Sequence, residues 1–268
     1  MSLYEVIFLG IIQGITEWLP ISSEGIITFI ASLALGQTFL EAVSLAIWLH
    51  LGTACAAFLS FHRYILKIFK DPVKTGTSLS DLSLLLIAVL TSGIVGFPLL
   101  IFVQQTQVVT GMGDITMIIV GIFTIISGFI QRRHWIAAPK NPGGQLSIAD
   151  ALYVGIAQGL AVVPGLSRSG LTVTVLLLRG VEQRRTLTFS YVMSIPVAIA
   201  AAGYVGITDG LFLSSANIIS AVIAFIVGLS TIRIVLVFAT RVNVSNLLIV
   251  IGFIMMLTAV SFLLVGIA

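Results

Sequence analysis

The chain has 268 residues, of which 58% are hydrophobic and only 9% are charged, and its formal net charge is +3. With a mean hydropathy of +1.17 it has too little polar surface to cover a soluble domain, so it is predicted to be an integral membrane protein. The small excess of positive charge does not indicate nucleic acid as a partner.

The first apolar region, Leu3 to Leu35, is broken at its centre by polar residues. It contains the run Gly10-Ile-Ile-Gln13-Gly14-Ile-Thr-Glu17-Trp-Leu-Pro20-Ile-Ser22-Ser23-Glu24-Gly25. Each half is too short to cross a bilayer alone, so the region is predicted to form a re-entrant helix, turn and helix. Non-helical backbone at membrane depth must be satisfied by protein or water, so the turn is expected to face an interior cavity.

Three uninterrupted apolar windows follow, and each is long enough to span a bilayer. They run from Ala42 to Phe61, from Leu82 to Val103, and from Ile115 to Ile130. The first of them holds the single cysteine of the chain, Cys55. One cysteine excludes a disulfide framework, and its apolar neighbours predict a buried structural thiol.

A second broken region, Ala149 to Leu178, repeats the pattern of the first. It reads Gly155-Ile-Ala-Gln158-Gly159-Leu-Ala-Val-Val-Pro164-Gly165-Leu-Ser167-Arg168-Ser169-Gly170. Gln, the following Gly, a Ser and the last Gly keep the same register in both copies, so this region is also predicted to be re-entrant. Three more predicted spans follow, at Leu187 to Gly206, Leu211 to Phe238 and Leu247 to Ile267.

The chain is therefore predicted to be an all-α membrane protein, a single domain over residues 1–268 with six transmembrane helices and two re-entrant segments. Its two repeats cover residues 1–135 and 145–268, and each has one re-entrant pair and three spans. A re-entrant pair returns to its own side and three spans are odd in number, so the second repeat is expected to have inverted topology.

The basic residues support one orientation of this arrangement. If the loop after the first span is cytoplasmic, nearly all of them fall on or near that side, as the positive-inside rule requires. Both termini are then outside, and only Arg168 is left at membrane depth. The residues on the cytoplasmic side are Arg63, Lys67, Lys70, Lys74, Arg132, Arg133, Lys140, Arg179, Arg184, Arg185, Arg233 and Arg241.

Four polar or charged residues lie at membrane depth, namely Gln13, Glu17, Glu24 and Arg168. Ionisable groups are costly there and usually mark a site, a pathway or an ion pair. Gln13 and Glu17 are four residues apart, so they share one helix face and are expected to bind one ligand or metal together. A structural salt bridge between Glu17 and Arg168 is the alternative, and it is compatible with the first interpretation.

The serines of the two motifs indicate a phosphate site. Ser22 and Ser167 precede the second half-helix of each copy, where serine is a good N-cap, but capping leaves Ser23 and Ser169 unexplained. Two helix N-termini beside Arg168 favour a phosphate-like anion. A carboxylate and additional hydroxyls nearby extend anion binding to phosphoryl transfer.

The first motif, Gln13 to Ser23, resembles the Glu-rich first motif of the undecaprenyl-diphosphate phosphatase family, the bacitracin-resistance type of membrane phosphatase. Pro164-Gly165-Leu-Ser167-Arg168-Ser169-Gly170 with Thr172 resembles its second motif. The resemblance implies hydrolysis of a polyprenyl diphosphate lipid to the monophosphate, which recycles a carrier for glycan assembly at the cell membrane. It also implies that a divalent cation, Mg²⁺ or Ca²⁺, aids the reaction. The diphosphate would be bound by Ser22, Ser167, Ser169, Gly165, Gly170 and Thr172.

Two positions depart from the family pattern. The first acidic position is commonly Glu and is Gln13 here, and Ile26 takes the place of a His that many bacterial members carry. We therefore expect Ser23 to attack the terminal phosphorus, Arg168 to stabilise the transition state, and Glu17 to handle the proton or the metal. Attack by a water held by Glu17 stays open.

His50, within the first predicted span, is expected to be structural or to replace the missing His as a base. The competing function is transport by an inverted-repeat carrier or a lipid-phosphate flippase, since such carriers share this layout. The length and saturation of the lipid, whether undecaprenyl or dolichyl-type, are left open. The oligomeric state is open too, with a homodimer as one option.

Overall fold

A computed structural model describes residues 2–19, 21–70, 80–105, 113–134, 146–163, 165–239 and 245–265, and within these ranges all regular secondary structure is helical. Pro20 and Pro164 of the two motifs lie outside the described residues. The α-helices in chain order are α1 (Leu3–Thr16), α2 (Ser23–Phe29), α3 (Phe39–Lys70), α4 (Asp81–Gln105), α5 (Gly113–His134), α6 (Ile148–Leu160), α7 (Arg168–Leu178), α8 (Gln183–Thr208), α9 (Ser215–Ala239) and α10 (Ser245–Val265).

Four of the helices contain segments long and apolar enough to cross a membrane, so the chain is a multi-pass membrane protein. These segments are Phe39–Lys70, Asp81–Val103, Arg184–Thr208 and Ser215–Ile234. They coincide with four of the six predicted spans. The other two predicted spans fall on α5 and α10, and the end of the last one lies outside the described residues.

Two sequence-based expectations are wrong in detail. The fifth predicted span begins at Ser215 rather than Leu211, because Gly210 has a left-handed φ of +68° and a short 3₁₀ turn, Leu211–Leu213, follows it. Cys55 is exposed on the surface of the helix bundle. An apolar run does not imply core burial in this class of protein, because apolar side chains also face lipid.

The two broken regions fold as short helix pairs, α1 with α2 and α6 with α7. Each pair begins with a capping box, formed by Ser2 with Glu5 in α1 and by Ser147 with Asp150 in α6. After α2, the chain continues in a π-helical turn, Ile30–Ala34. The matching start signals explain why both copies fold alike despite their different central residues.

Each short pair packs against a long helix from the other half of the chain. Helix α1 packs on α9 and α6 packs on α4, while α5 packs on α10 and α3 on α8. Glycines allow this approach: a Cβ added to Gly10 would lie 2.6 Å from the Ser220 carbonyl oxygen, and one on Gly155 would lie 2.6 Å from that of Ala88. Such close backbone contact is typical of helix packing in membranes. It brings the α1–α2 turn to the α6–α7 turn.

Candidate active site

The Glu17 carboxylate is the centre of a polar cluster between the two turns. Glu17 ends α1, and its side chain is only 4% exposed. Its Oε1 is paired with the Arg168 guanidinium. Its Oε2 accepts from Gln13 Nε2 at 2.9 Å and from Ser23 Oγ at 2.8 Å, and lies 3.2 Å from His50 Nε2. Both oxygens of the carboxylate are therefore engaged.

Gln13 lies one helical turn before Glu17 and is fully buried. Its Nε2 must face the carboxylate, because an amide oxygen in that position would meet another acceptor. Its Oε1 consequently points elsewhere and accepts no hydrogen bond from the described residues. Gln13 and Glu17 thus lie on one helix face as predicted, and their joint binding of a ligand or metal stays a prediction.

The two adjacent serines of the first motif have different hydrogen-bond partners. Ser22 is the N-cap of α2, and its hydroxyl accepts from the Gly25 backbone N–H at 3.1 Å. Ser23 is the first residue of the helix and directs its hydroxyl to Glu17. Helix capping therefore explains Ser22 but not Ser23, whose hydroxyl belongs to the polar cluster around Glu17.

Arg168 reaches the same carboxylate from the start of α7. Ser167 caps this helix by accepting from the Gly170 N–H at 3.0 Å, so Arg168 is its first residue. The preceding Gly165 has a φ of +95°, and an added Cβ would lie 2.5 Å from the carbonyl oxygen of Val120. A glycine is required there both for its conformation and for its contact with α5.

Two further hydroxyls of the second motif bond within the protein, and that of Ser169 reaches the first half of the chain. Ser169 Oγ donates to the Leu19 carbonyl oxygen at 2.9 Å, and Thr172 Oγ1 lies 2.6 Å from Ser190 Oγ. Thr172 also donates to the backbone oxygen of Arg168 at 2.9 Å. Ser169 also lines a small cavity beside Glu17, which is described below, whereas Thr172 is fully buried between α7 and α8. Their expected contacts with a diphosphate stay predictions.

His50 of α3 belongs to the cluster. Its Nδ1 lies 2.7 Å from the Ala46 carbonyl oxygen, and its Nε2 faces Glu17. A carbonyl oxygen only accepts, so Nδ1 carries a hydrogen and Nε2 is left facing a carboxylate oxygen. That second contact is favourable only if one proton lies between the two groups. His50 is thus a proton-sharing partner of Glu17, in contact with the same oxygen as Ser23.

A small cavity of about 20 Å³ opens beside these groups. Its polar walls are Glu17, Ser22, Ser23, Glu24, His50, Arg168 and Ser169. Glu24 makes no ion pair with Arg168, and its Oε1 is buried without a hydrogen-bond partner in the described part of the chain. The cavity therefore combines a hydroxyl, a guanidinium, an imidazole and two carboxyl groups inside an apolar protein.

Two buried aromatic residues, Tyr191 and Trp18, hold the backbone next to Glu17, and the sequence did not predict this role. Tyr191 of α8, which is 1% exposed, donates its hydroxyl to the Trp18 carbonyl oxygen at 2.5 Å. The Trp18 indole donates to the Gly228 carbonyl oxygen at 3.1 Å, and its ring packs edge-on against Tyr191. A buried Tyr or Trp usually hydrogen-bonds through its polar group. Tyr191 and Trp18 in apolar segments could have been recognised on that ground. Together they fix the residue that follows Glu17.

Comparison with known proteins agrees with this arrangement. The family model described as "Bacitracin resistance protein BacA" matches residues 6–263. An undecaprenyl-diphosphatase of Methanococcoides burtonii is 37% identical over 265 residues, covering 96% of this chain and 98% of the relative. One of Sulfurisphaera tokodaii is 35% identical over 261 residues, covering 91% and 92%. One of Methanothrix thermoacetophila is 33% identical over 258 residues, covering 95% and 96%.

The matched region includes both turns and every residue of the polar cluster and runs from within α1 to within α10, and the relatives are covered over nearly their whole length. The resemblance seen in the two motifs thus extends along the chain. This protein belongs to the bacitracin resistance protein BacA family.

Proposed function

We propose that this chain hydrolyses a long-chain polyprenyl diphosphate of the undecaprenyl type to the monophosphate and inorganic phosphate. The reaction would recycle a lipid carrier for cell-envelope glycan assembly. The observation that carries the proposal is the hydrogen bond from Ser23 to Glu17 beside Arg168, within a membrane protein. The names of the relatives agree with it.

Ser23 is the proposed nucleophile, and Glu17 is its general base. The 2.8 Å contact is short enough for direct proton transfer from Ser23 Oγ to Glu17 Oε2. Ser23 Oγ attacks the terminal phosphorus, the bond from that phosphorus to the bridging oxygen breaks, and the polyprenyl monophosphate leaves with that oxygen. Water then hydrolyses the phosphoserine, which releases inorganic phosphate and restores the hydroxyl.

Arg168 is the proposed charge stabiliser. Its side chain is 19% exposed and lines the cavity, so N–H groups not used by Glu17 are available to phosphate oxygens. Negative charge spreads over those oxygens as the phosphoryl group transfers, and a fixed guanidinium stabilises it without reorganisation. The contact with Glu17 keeps the guanidinium at the cavity before substrate arrives.

His50 is the proposed second proton carrier. It contacts the same carboxylate oxygen as Ser23 and shares one proton with it, so His50 can give that proton to an oxygen of the leaving monophosphate while Glu17 takes the proton of Ser23. Without Ser23, the same pair would activate a water for direct attack. The two routes differ in whether a phosphoserine forms.

A divalent cation, which the family resemblance implies, does not fit on Glu17 in this arrangement. Arg168 occupies one carboxylate oxygen, and the other has three close partners. Within the described residues, no group of three or more His, Cys, Asp and Glu side chains has the spacing of a metal site. Our proposed steps use only the side chains of the protein, the substrate and water.

We further propose that the chain is an inverted repeat in the plasma membrane, with re-entrant pairs α1–α2 and α6–α7 and both termini outside. The reciprocal packing of α1 on α9 and α6 on α4 supports a two-fold relation between residues 1–135 and 145–268. Arg185 of α8 binds Asp81 of α4 at 2.8 Å, and Arg179 binds Asp150 at 2.5 Å. These contacts gather the basic helix ends on one face, as a cytoplasmic side requires. Lys74, Lys140 and Arg241 of the predicted basic set lie outside the described residues.

The test is phosphate release from undecaprenyl diphosphate by purified protein in detergent, without a membrane gradient. The wild type should release phosphate and Ser23→Ala should not, whereas a transporter would release none in either form. Ser230→Ala is the matched control, because Ser230 is exposed on the bundle and, among the described residues, its hydroxyl bonds only to the Ile226 carbonyl oxygen. Full activity of Ser23→Ala would exclude the covalent route and favour the water route.

A further inference from the structure

The two copies of the broken motif differ at one informative position. Glu17 follows Gln13 by four residues in the first copy, and Val162 follows Gln158 by four in the second. The neighbouring Gly14 and Gly159 correspond as well. The second copy thus carries an isopropyl group at the position of the catalytic carboxylate.

Val162 and Gln158 line a second cavity, of about 80 Å³. This cavity shares three wall residues with the polar one, namely Glu24, His50 and Arg168. Most of its remaining wall is apolar and comes from α3, α4, α8 and the end of α6. The side chains that form this wall include Ile47, Leu100, Val162, Val197, Ala198 and Ala201.

We propose that this apolar cavity binds the isoprene unit next to the diphosphate. The inference rests on the proposed function, because it assigns the hydrocarbon end of the same substrate. A polyprenyl diphosphate changes from trianion to hydrocarbon within two bonds, so its two ends need adjoining sites of opposite polarity. The two cavities meet that requirement, because they adjoin at Glu24, His50 and Arg168 and most of the remaining wall of the second cavity is apolar.

Gln158 supports the apolar wall from behind. It is 3% exposed, and its Nε2 donates to Ser92 Oγ at 3.2 Å and to the Met193 carbonyl oxygen at 3.4 Å. Since Met193 O only accepts, the amide orientation is fixed. Its Oε1 accepts no hydrogen bond from the described residues, so a water beside the hydrocarbon would complete it. Glu17 and Val162 thus give corresponding positions of the two motif copies to the phosphate and to the hydrocarbon.

The test compares binding of two non-hydrolysable probes to the purified protein, farnesyl methylenediphosphonate and methylenediphosphonate. Ala198→Leu, which fills the cavity, should weaken the farnesyl probe about tenfold and leave the headgroup probe unchanged, the effect expected from displacing one or two methylene equivalents. Val162→Thr keeps the shape but replaces a methyl group with a hydroxyl. It should also weaken binding of the farnesyl probe and leave binding of the headgroup probe unchanged. Ala200→Leu is the control, since Ala200 is on the same helix but exposed.

The inference is overturned if the wild type binds both probes equally, or if the farnesyl probe binds Ala198→Leu and Val162→Thr as tightly as it binds the wild type. Equal losses for both probes in the folded Val162→Thr variant would also overturn it. Failure of the proposed function is a separate result: the wild type would prefer the farnesyl probe yet release no phosphate from the corresponding diphosphate. Binding and turnover therefore report on the two proposals independently.

Discussion

Arg168 and Glu17 are 151 positions apart in the chain, yet they form an ion pair that joins the two broken helix pairs. The pair lies among buried side chains, with Glu17 only 4% exposed. Buried pairs of this kind contribute little net stability, but loss of one partner leaves an uncompensated charge. A phosphate that enters the cavity shares Arg168 with Glu17, so binding weakens the hold of the guanidinium on the proposed base.

Arg168→Lys should lower kcat for phosphate release by about 10²–10³-fold, although it preserves the charge. An ammonium cannot contact Glu17 and a phosphate with the fixed fork of a guanidinium. Initial rates with undecaprenyl diphosphate measure the effect. Arg184→Lys, at an exposed position on α8, should be unchanged, and wild-type rates for Arg168→Lys would contradict the proposed role.

His50→Ala should lower kcat by about 10²-fold with little change in KM, because it removes a proton carrier rather than a substrate contact. Added imidazole should restore part of the rate, which a merely structural loss would not allow. His62→Ala on the same helix is the control, since His62 is exposed and bonds to the Leu59 carbonyl oxygen. A change in KM alone, without rescue, would remove His50 from the proton path.

Tyr191→Phe should destabilise the protein by about 1–3 kcal/mol, because the buried Trp18 carbonyl loses its donor. The loosened turn should also displace Glu17, so kcat should fall while the affinity for the headgroup is kept. Thermal unfolding and steady-state rates measure both effects. Tyr204→Phe should be neutral, since the Tyr204 hydroxyl makes no hydrogen bond within the described residues.

Gly165→Ala should destabilise the protein by about 1–3 kcal/mol through backbone strain, with a further cost from contact with Val120. Gly203 offers the opposite case, since nothing lies within 4 Å of an added Cβ. Gly203→Ala in helix α8 should therefore leave the midpoint of thermal unfolding unchanged or raise it. Equal midpoints for the two variants would show that the turn tolerates a side chain.

The sequence predicted much of the fold because the controlling signals are local. Ser22 and Ser167 cap their helices as expected, and the pairing of Glu17 with Arg168 was one of the two interpretations considered. A charge at membrane depth has few ways to be satisfied, so its partner can be inferred from the few polar residues present.

The hydrogen-bond partners of individual hydroxyl and imidazole groups could not be predicted from the sequence. His50 reaches Glu17 only because α3 turns that face toward the α1–α2 turn, and rotation of a helix that is apolar on most sides leaves little trace in sequence. Ser169 and Thr172 bond to Leu19 and Ser190, which was not predicted, and their expected contacts with phosphate stay predictions. A hydroxyl serves a ligand or a neighbouring carbonyl equally well, and only the packed structure distinguishes the two.

The packing of α1 on α9 also has a consequence for assembly, because the two helices are far apart in the chain. Helix α1 emerges from the ribosome before α9, the helix on which it packs and which begins only at Ser215. Until α9 is inserted, the backbone around Glu17 lacks the Gly228 carbonyl and the Thr231 hydroxyl that hold Trp18 and Gly14. We therefore expect the α1–α2 turn to complete its contacts only after α9 is inserted, and a chain that stops before α9 to lack them.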